Sequence, residues 1–149
     1  MSIKGNVAYV EQEPYIFSTS IKENILFGKK FNEKLFDEVL EAAQLAKDIE
    51  NFGKGVDTVI GERGINISGG QKARISLARA LYSEADIYLL DDPLSAVDPQ
   101  VAHNIFKICI EGYLKNKLVV LVTHQLQFLM NQKKILVIKD GKQSVYGNF

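Results

Sequence analysis

The sequence predicts an α/β fold with a largely parallel sheet. Continuous apolar runs of strand length lie at residues 87–90, 118–122 and 135–138, a pattern typical of strands that are buried on both faces. A helix predicted at about residues 100–114 separates the first two runs. This strand–helix–strand alternation indicates a parallel sheet. At 149 residues, the chain has the size of one domain.

The elements before these runs follow from local signals. A short apolar strand is predicted at residues 6–10, and Ser20 with Glu23 forms a capping box at the start of a short helix. Asn32 caps an amphipathic helix, residues 51–64 are a glycine-rich loop, and Ser68 begins a helix that ends near residue 83. Two of these helices are expected to have a buried face. On the helix capped by Asn32 it consists of Leu35, Phe36, Val39, Leu40 and Ala43, and on the helix that begins at Ser68 it consists of Leu77, Ala78 and Leu81.

Charge and composition exclude some function classes. Lys+Arg and Asp+Glu both number 18, so no charge excess supports a nucleic-acid partner. The single cysteine, Cys109, excludes an internal disulfide and suits the cytosol. No apolar run approaches the ~20 residues of a spanning helix, and the first residues have no apolar signal-peptide core. We therefore expect a chain of soluble type that does not bind nucleic acid.

The motif Ser68-Gly69-Gly70-Gln71 is suited to holding phosphate. Its glycines let the backbone approach a ligand closely, and Ser68 can cap the helix that follows. The first N–H groups of a helix have no partner inside the helix and attract anions. Farther along, the apolar run ends in Asp91-Asp92, where carboxylates can hold a magnesium ion beside a phosphate. Together the two motifs indicate a nucleotide-binding protein.

These residues resemble the motifs of the ATP-binding cassette (ABC) family. Residues 67–71 resemble its signature sequence, residues 88–92 its Walker B strand and residues 95–98 its D-loop. Gln12 is similar to the Q-loop glutamine, and His124, after Thr123, to the switch histidine. The motifs occur in the family's order and extend across essentially the whole chain.

The resemblance implies ATP and Mg²⁺ as cofactors and assigns roles to single residues. Asp92, His124 and Gln12 would be catalytic, and Asp91 and Gln12 would hold the metal. Ser68, Gly69, Gly70, Gln71 and Asp98 would bind the nucleotide. If Asp91 occurred without the other motifs, the simpler interpretation would be a turn residue that ends a strand. If His124 occurred alone, the simpler interpretation would be a surface residue.

Asp92 stands where most active members of the family have glutamate. Aspartate is shorter by one methylene, about 1.5 Å, and misplacing a catalytic group by about 1 Å can cost ~100-fold in rate. The residues from Asp91 to Asp98 resemble the first nucleotide-binding domain of subfamily C exporters, the multidrug-resistance-associated type, in which one of two ATP sites is degenerate. We expect slow hydrolysis at this site, with adequate hydrolysis through a shifted water as the alternative.

Two segments resemble exporter sequences that contact transmembrane domains. Tyr15, Ile16 and Phe17 would form an apolar docking surface, with ordinary core as the alternative. Gly61-Glu62-Arg63-Gly64 would touch the intracellular loops, with an exposed charged turn as the alternative. The other implied partner is a second nucleotide-binding domain, paired head to tail. The location implied is the cytoplasmic face of a membrane, as part of an integral membrane transporter.

The phosphate loop Gly-x-x-x-x-Gly-Lys-Ser/Thr (Walker A) does not occur in the sequence. We therefore expect residues 1–149 to be a partial nucleotide-binding domain that runs from the Q-loop to just past the switch histidine, lacks its N-terminal part and has a helical subdomain at about residues 13–83. The expected function is ATP binding and hydrolysis that power export. The alternative is a non-catalytic regulatory or assembly piece, unable to bind ATP by itself.

Overall fold

A computed structural model describes residues 4–61, 66–130 and 132–148 of the chain. Within these residues, strands β1 (Val7–Val10), β2 (Ile87–Asp91) and β3 (Leu118–Val122) form a parallel sheet in the order β1-β2-β3. Helices lie between successive strands. The predicted α/β class with a parallel sheet is confirmed.

The described helices are α1 (Ile21–Leu26), α2 (Glu33–Ala42), α3 (Ala46–Asn51), α4 (Gly69–Tyr82) and α5 (Pro99–Ile105), and α5 continues as a π-helix over Phe106–Tyr113. The first four lie between β1 and β2, although the helical subdomain at about residues 13–83 stays a prediction. None of the described helices has the length and apolar character needed to span a bilayer.

Side-chain caps begin four of the helices. Ser20, Asn32, Ser68 and Asp98 each accept a backbone N–H from the first turn of the helix that follows, which satisfies a donor that has no partner inside the helix. The caps predicted at the first three residues are confirmed, but the capping box expected at Ser20 is present only as the serine half.

The core lies between the helices and one face of the sheet. The predicted stripe of α4 is fully covered, since Leu77 is 1% and Leu81 0% exposed. On α2, Phe36 and Val39 are buried as predicted, and the Phe36 ring packs edge-on against Tyr82 with ring centroids 6.1 Å apart. The signature-like helix α4 is therefore held by apolar burial along its length.

The prediction that the strands are buried on both faces is wrong. The run at 118–122 shows this, because exposure alternates along β3, with Leu118 59% and Val120 48% exposed. Exposure also alternates along β1, which was predicted only as a short strand, and Tyr9 there is 54% exposed. The described helices cover one face of the sheet, so every second side chain of these edge strands lies on the open face. Continuous apolar runs cannot show which face a helix will cover.

The apolar run at residues 135–138 is also not a strand of the parallel sheet. It forms β4 (Ile135–Lys139), which pairs antiparallel with β5 (Lys142–Gly147) in a separate two-stranded sheet. The connection is Asp140-Gly141, whose φ angles are +50° and +71°. Positive φ at both central residues is the requirement of the tight turn that joins hairpin strands. The local turn therefore determined the pairing.

Candidate functional site

The carboxyl ends of the three parallel strands form one edge of the sheet. Gln12 follows β1 by two residues, Asp91 ends β2 with Asp92 directly after it, and His124 follows β3 by two residues. Asp91 is in register with Val122 at the end of β3. Because the strands are parallel, the structure brings the four predicted residues to the same edge, where open α/β sheets bind their ligands.

Asp91 is half-buried at this edge. The Tyr9 hydroxyl donates a hydrogen bond to its Oδ2 at 3.3 Å. Although 54% of Tyr9 is exposed, its pKa is raised, first by reduced hydration of the hydroxyl and then by the negative charge of Asp91. Tyr9 therefore remains a neutral donor that orients one oxygen of the carboxylate. The apolar strand pattern had given Tyr9 no such role.

Asp92 is buried, with 7% of its surface exposed, and its φ is +45°. This left-handed conformation is uncommon for a residue other than glycine. It is held in place because its N–H donates to the Val122 carbonyl at 2.9 Å, while its own carbonyl accepts from Ser95 N at 3.2 Å and Ser95 Oγ at 2.9 Å. Its Oδ1 is buried with no hydrogen-bond partner among the described residues. Buried carboxylate oxygens are rarely left in this state, so this atom can accept from a water or ligand.

The donor set at the sheet edge fits magnesium. Among the described residues no cluster of three or more His, Cys, Asp or Glu side chains could hold a metal. Asp91 and Gln12 offer oxygen ligands only, and Gln12 and His124 are exposed. Magnesium binds oxygen and takes one or two carboxylates from a protein, with phosphates and waters completing its shell. The chain can thus supply part of such a shell.

The turn at residues 68–71, hereafter the signature turn, has the geometry of a complete capping box. Ser68 Oγ accepts the Gln71 N–H at 3.1 Å, and Gln71 Oε1 accepts the Ser68 N–H at 2.8 Å. Ser68 and Gly69 are exposed. The first N–H groups of α4 therefore lie at the surface in a fixed arrangement.

The two glycines of the signature turn pack against the segment that follows Asp92. A Cβ on Gly70 would lie 3.0 Å from the Ala96 carbonyl oxygen, whereas a Cβ on Gly69 would lie 3.8 Å from the Ala96 Cβ. Position 70 must therefore be glycine, because the backbones of α4 and of the segment after Asp92 approach closely there. Asp98, at the end of this segment, uses its carboxylate to cap α5 by accepting the Val101 N–H at 3.1 Å.

Gln125 connects the same segment to the residues beside His124, a contact that sequence reasoning missed. Its Nε2 donates to the Leu94 carbonyl at 3.1 Å, and its N–H donates to Thr123 Oγ1 at 3.1 Å. The residues on both sides of His124 are thereby tied to the loop after Asp92. The only signal was a polar side chain next to His124, because Leu94 is 31 residues away.

Tyr15, Phe17 and Phe27 surround the Arg79 guanidinium, and we call these four residues the aromatic groove. They line a cavity of about 400 Å³. The guanidinium carbon lies 5.2 Å from the Phe17 ring centre and 5.4 Å from that of Phe27. Tyr15 is 64%, Phe17 38% and Phe27 63% exposed, so these aromatic side chains are not ordinary core, whereas Ile16 between them is buried.

Asn24 and Arg79 hold the aromatic groove in shape. Asn24 is fully buried, its Nδ2 donates to the Phe17 carbonyl at 3.0 Å and its Oδ1 accepts the Phe17 N–H at 2.9 Å. Arg79 donates to the Asn24 and Tyr15 carbonyls and to Asn24 Oδ1. Burial lowers the pKa of Arg79, yet a guanidinium keeps its proton in proteins, so Arg79 stays charged. The rings therefore rest on a fixed cation rather than on mobile side chains.

The second segment predicted to contact transmembrane domains begins beside α1, the helix that contains Asn24. Ile21 N donates to the Thr58 carbonyl at 3.1 Å, and Ile60 N donates to the Thr19 carbonyl at 2.9 Å, which places residues 58–60 along the start of α1. Gly61 follows directly, and its N–H donates to Asn66 Oδ1 at 2.8 Å. Glu62, Arg63 and Gly64 lie outside the described residues.

Comparison with known proteins identifies relatives of this chain. A family model described as "ABC transporter" matches residues 1–95. "ATP-binding cassette sub-family C member 4" of Homo sapiens is 50% identical over all 149 residues, and "ABC transporter C family member 7" of Arabidopsis thaliana is 52% identical over the same length. "ABC transporter C family member 12" of Dictyostelium discoideum is 49% identical over 142 residues, 95% of this chain. The chain spans only 10–11% of the length of these relatives.

Proposed function

This chain belongs to the ABC transporter family, and from that premise we propose that it is part of the first nucleotide-binding domain of a subfamily C exporter. In the complete protein this domain pairs head to tail with a second one. Two ATP molecules then lie at their interface, and ATP hydrolysis there powers transport across a membrane. The subfamily C names of relatives about 50% identical support the assignment.

The observation that carries the proposal is the separation of two ligand-binding elements on one chain. The sheet edge carries Gln12, Asp91, Asp92 and His124. Ser68 lies elsewhere, at the start of α4, and the glycines that follow it pack against the segment at residues 94–97. We assign the sheet edge to the ATP bound on this domain. We assign the signature turn to the ATP bound on the partner domain.

At the sheet edge, each residue has a task that its chemistry allows. Bound Mg²⁺ would neutralise charge on the phosphates. Asp91 and Gln12 would hold that ion through oxygen ligands, and Asp92 would accept a proton or hydrogen bond from the attacking water. His124, exposed beside them, would donate a hydrogen bond to the terminal phosphate.

The sheet-edge site is proposed to be the slower of the two. Asp92 has a short side chain on a backbone fixed by Val122 and Ser95, so it cannot move toward the water without breaking those bonds. A shortfall of about 1 Å in reach can cost ~100-fold in rate. The intact signature turn would meanwhile serve the faster site on the partner domain.

The experiment is a comparison of two substitutions in the full-length transporter. Gly69→Asp adds a negative charge at the exposed start of α4 and should nearly abolish ATP turnover, because it repels the partner's phosphates. Gly69→Asn has the same shape without the charge and is its control. Asp92→Asn should change turnover little. A larger loss from Asp92→Asn than from Gly69→Asp would refute the assignment.

The second candidate function is a regulatory or assembly piece that does not bind ATP by itself. It is favoured by one observation, that the 149 residues contain no phosphate loop to grip the β- and γ-phosphates. The 149-residue chain alone should therefore show no heat of ATP binding in a calorimetric titration with Mg²⁺ present. Low-micromolar affinity would contradict this expectation.

We propose that the aromatic groove and the segment from Gly61 to residue 64 contact the transmembrane domains at the cytoplasmic face of the membrane. Exposed Tyr15, Phe17 and Phe27 offer apolar area that a partner helix can cover. Phe27→Ala should then reduce ATP-driven transport while sparing basal ATP turnover. Phe31→Ala, on an exposed ring away from Arg79, is the matched control.

A further inference from the structure

The carboxylate of Asp48, in the short helix α3, contacts the first turn of α4. It accepts a hydrogen bond from Gln71 Nε2 at 2.8 Å and pairs with the Arg74 guanidinium. The side chains of Asp48 and Arg74 are only 16% and 11% exposed. Water screens such a partly buried pair weakly, so the pair can fix the side chains that it contacts.

Asp48 determines which way the Gln71 amide faces. An ionised carboxylate only accepts hydrogen bonds, so it can pair with the NH₂ group of Gln71 but not with its oxygen. Gln71 Oε1 is thereby turned to the opposite side, where it accepts the Ser68 N–H at 2.8 Å. Without the carboxylate, only the Ser68 N–H would hold the amide in this orientation.

The same arrangement leaves the Ser68 hydroxyl able to donate. Its oxygen already accepts the Gln71 N–H at 3.1 Å, so its hydrogen points to another acceptor. Ser68 is exposed, and the neighbouring N–H groups of α4 favour an anion. A capping box held in one state therefore presents one hydroxyl donor in a fixed position.

Arg74 extends the network to the rest of the domain. Its guanidinium also donates to the carbonyl of Gln44, a residue with φ of +55°, and to the Gly70 carbonyl at 3.2 Å. The Gln44 side chain accepts a hydrogen bond from Asn104 Nδ2 of α5 at 3.2 Å. The ion pair is thus linked to the turn between α2 and α3 and, through the Gln44 side chain, to α5.

We propose that Asp48 is a positioning residue for the signature turn, which acts through Gln71 and Arg74 to hold Ser68 ready for a phosphate. The inference rests on the proposed function, in which that phosphate belongs to ATP on a second domain. Asp48 is assigned a positioning role and not a catalytic one, because its carboxylate contacts Gln71 and Arg74 and acts on Ser68 only through them.

The first test needs no nucleotide. Amide hydrogen exchange of the full-length transporter without nucleotide should show the Ser68 N–H exchanging at least tenfold faster in Asp48→Ala, while the N–H of Leu77 in the same helix is unchanged. Asp48→Asn, which keeps the shape, should show a smaller acceleration, and Asp37→Asn, at an exposed position of α2, should show none. Equal exchange at Ser68 in wild type and both Asp48 variants would overturn the proposal, as would equal acceleration throughout α4.

The second test measures ATP turnover of the full-length transporter. Asp48→Ala should lower kcat at least tenfold with less than a threefold change in KM, and Asp48→Glu should restore part of the loss because the charge remains. If Gly69→Asp abolishes turnover and Asp48→Ala leaves kcat unchanged, the positioning role is refuted and the proposed function stands. If Gly69→Asp also leaves turnover unchanged, the proposed function fails, and the positioning role fails with it.

Discussion

Gly70→Ala tests the close contact between the signature turn and the segment after Asp92. The added Cβ would lie 3.0 Å from the Ala96 carbonyl oxygen and 3.7 Å from the Val97 Cα, so one of two backbones must move by a few tenths of an ångström. Overpacking of this kind costs about 1–3 kcal/mol. Alanine is favoured over glycine in a helix by up to about 1 kcal/mol, which leaves a net loss of roughly 0–2 kcal/mol.

Gly69→Ala is the matched control one residue earlier in the same helix. Its Cβ would meet the Ala96 Cβ at 3.8 Å, an ordinary contact, so only the helix preference remains. The two variants should therefore differ by about 1–3 kcal/mol in the free energy of unfolding. In urea, with a slope of about 2 kcal/mol per molar, their midpoints should differ by roughly 0.5–1.5 M. Equal midpoints would refute the claim that Gly70 is required by backbone approach.

Three further substitutions test the fold. Burial raises the pKa of the Cys109 thiol to about 12, so as the pH rises the unfolded chain loses the thiol proton before the folded chain does. The free energy of unfolding should then fall above about pH 9 by up to ~1.4 kcal/mol per pH unit. Cys109→Ala should remove this part of the pH dependence of the urea midpoint, and an unaltered pH dependence would contradict the prediction. Asn24→Ala leaves the Phe17 N–H and carbonyl unpaired and should cost about 2–4 kcal/mol in thermal unfolding, so a loss below ~1 kcal/mol would count against the network. Phe36→Ala, at a 3% exposed ring, should cost about 3–5 kcal/mol in the free energy of unfolding. Phe31→Ala should cost less, because its ring is 49% exposed although it packs against Phe36, and equal costs would be inconsistent with the core.

Local features were predictable because their signals lie within a few residues. The Ser68 cap and helix α4 follow from the capping-box spacing and the apolar stripe, and the structure has both. The convergence of Gln12, Asp91 and His124 follows from parallel strands, which share one carboxyl edge. The roles of these residues stay predictions.

Features that depend on distant partners were not predictable in the same way. Asp48 lies 23 residues from Gln71, and no periodic pattern joins them. The open face of the sheet depends on where helices pack, which an apolar run does not encode. The hairpin of β4 and β5 is different, because Asp140-Gly141 directly after an apolar run is a turn signal present in the sequence. There the apolar run was given more weight than the turn.

The most direct test is a structure of the full-length transporter trapped with ATP and Mg²⁺. The account predicts that Ser68 Oγ lies within about 3.2 Å of a γ-phosphate oxygen, and that this ATP is held by the phosphate loop of the second nucleotide-binding domain. A nucleotide-bound pair in which the signature turn faces solvent, beyond hydrogen-bond reach of any phosphate, would contradict it.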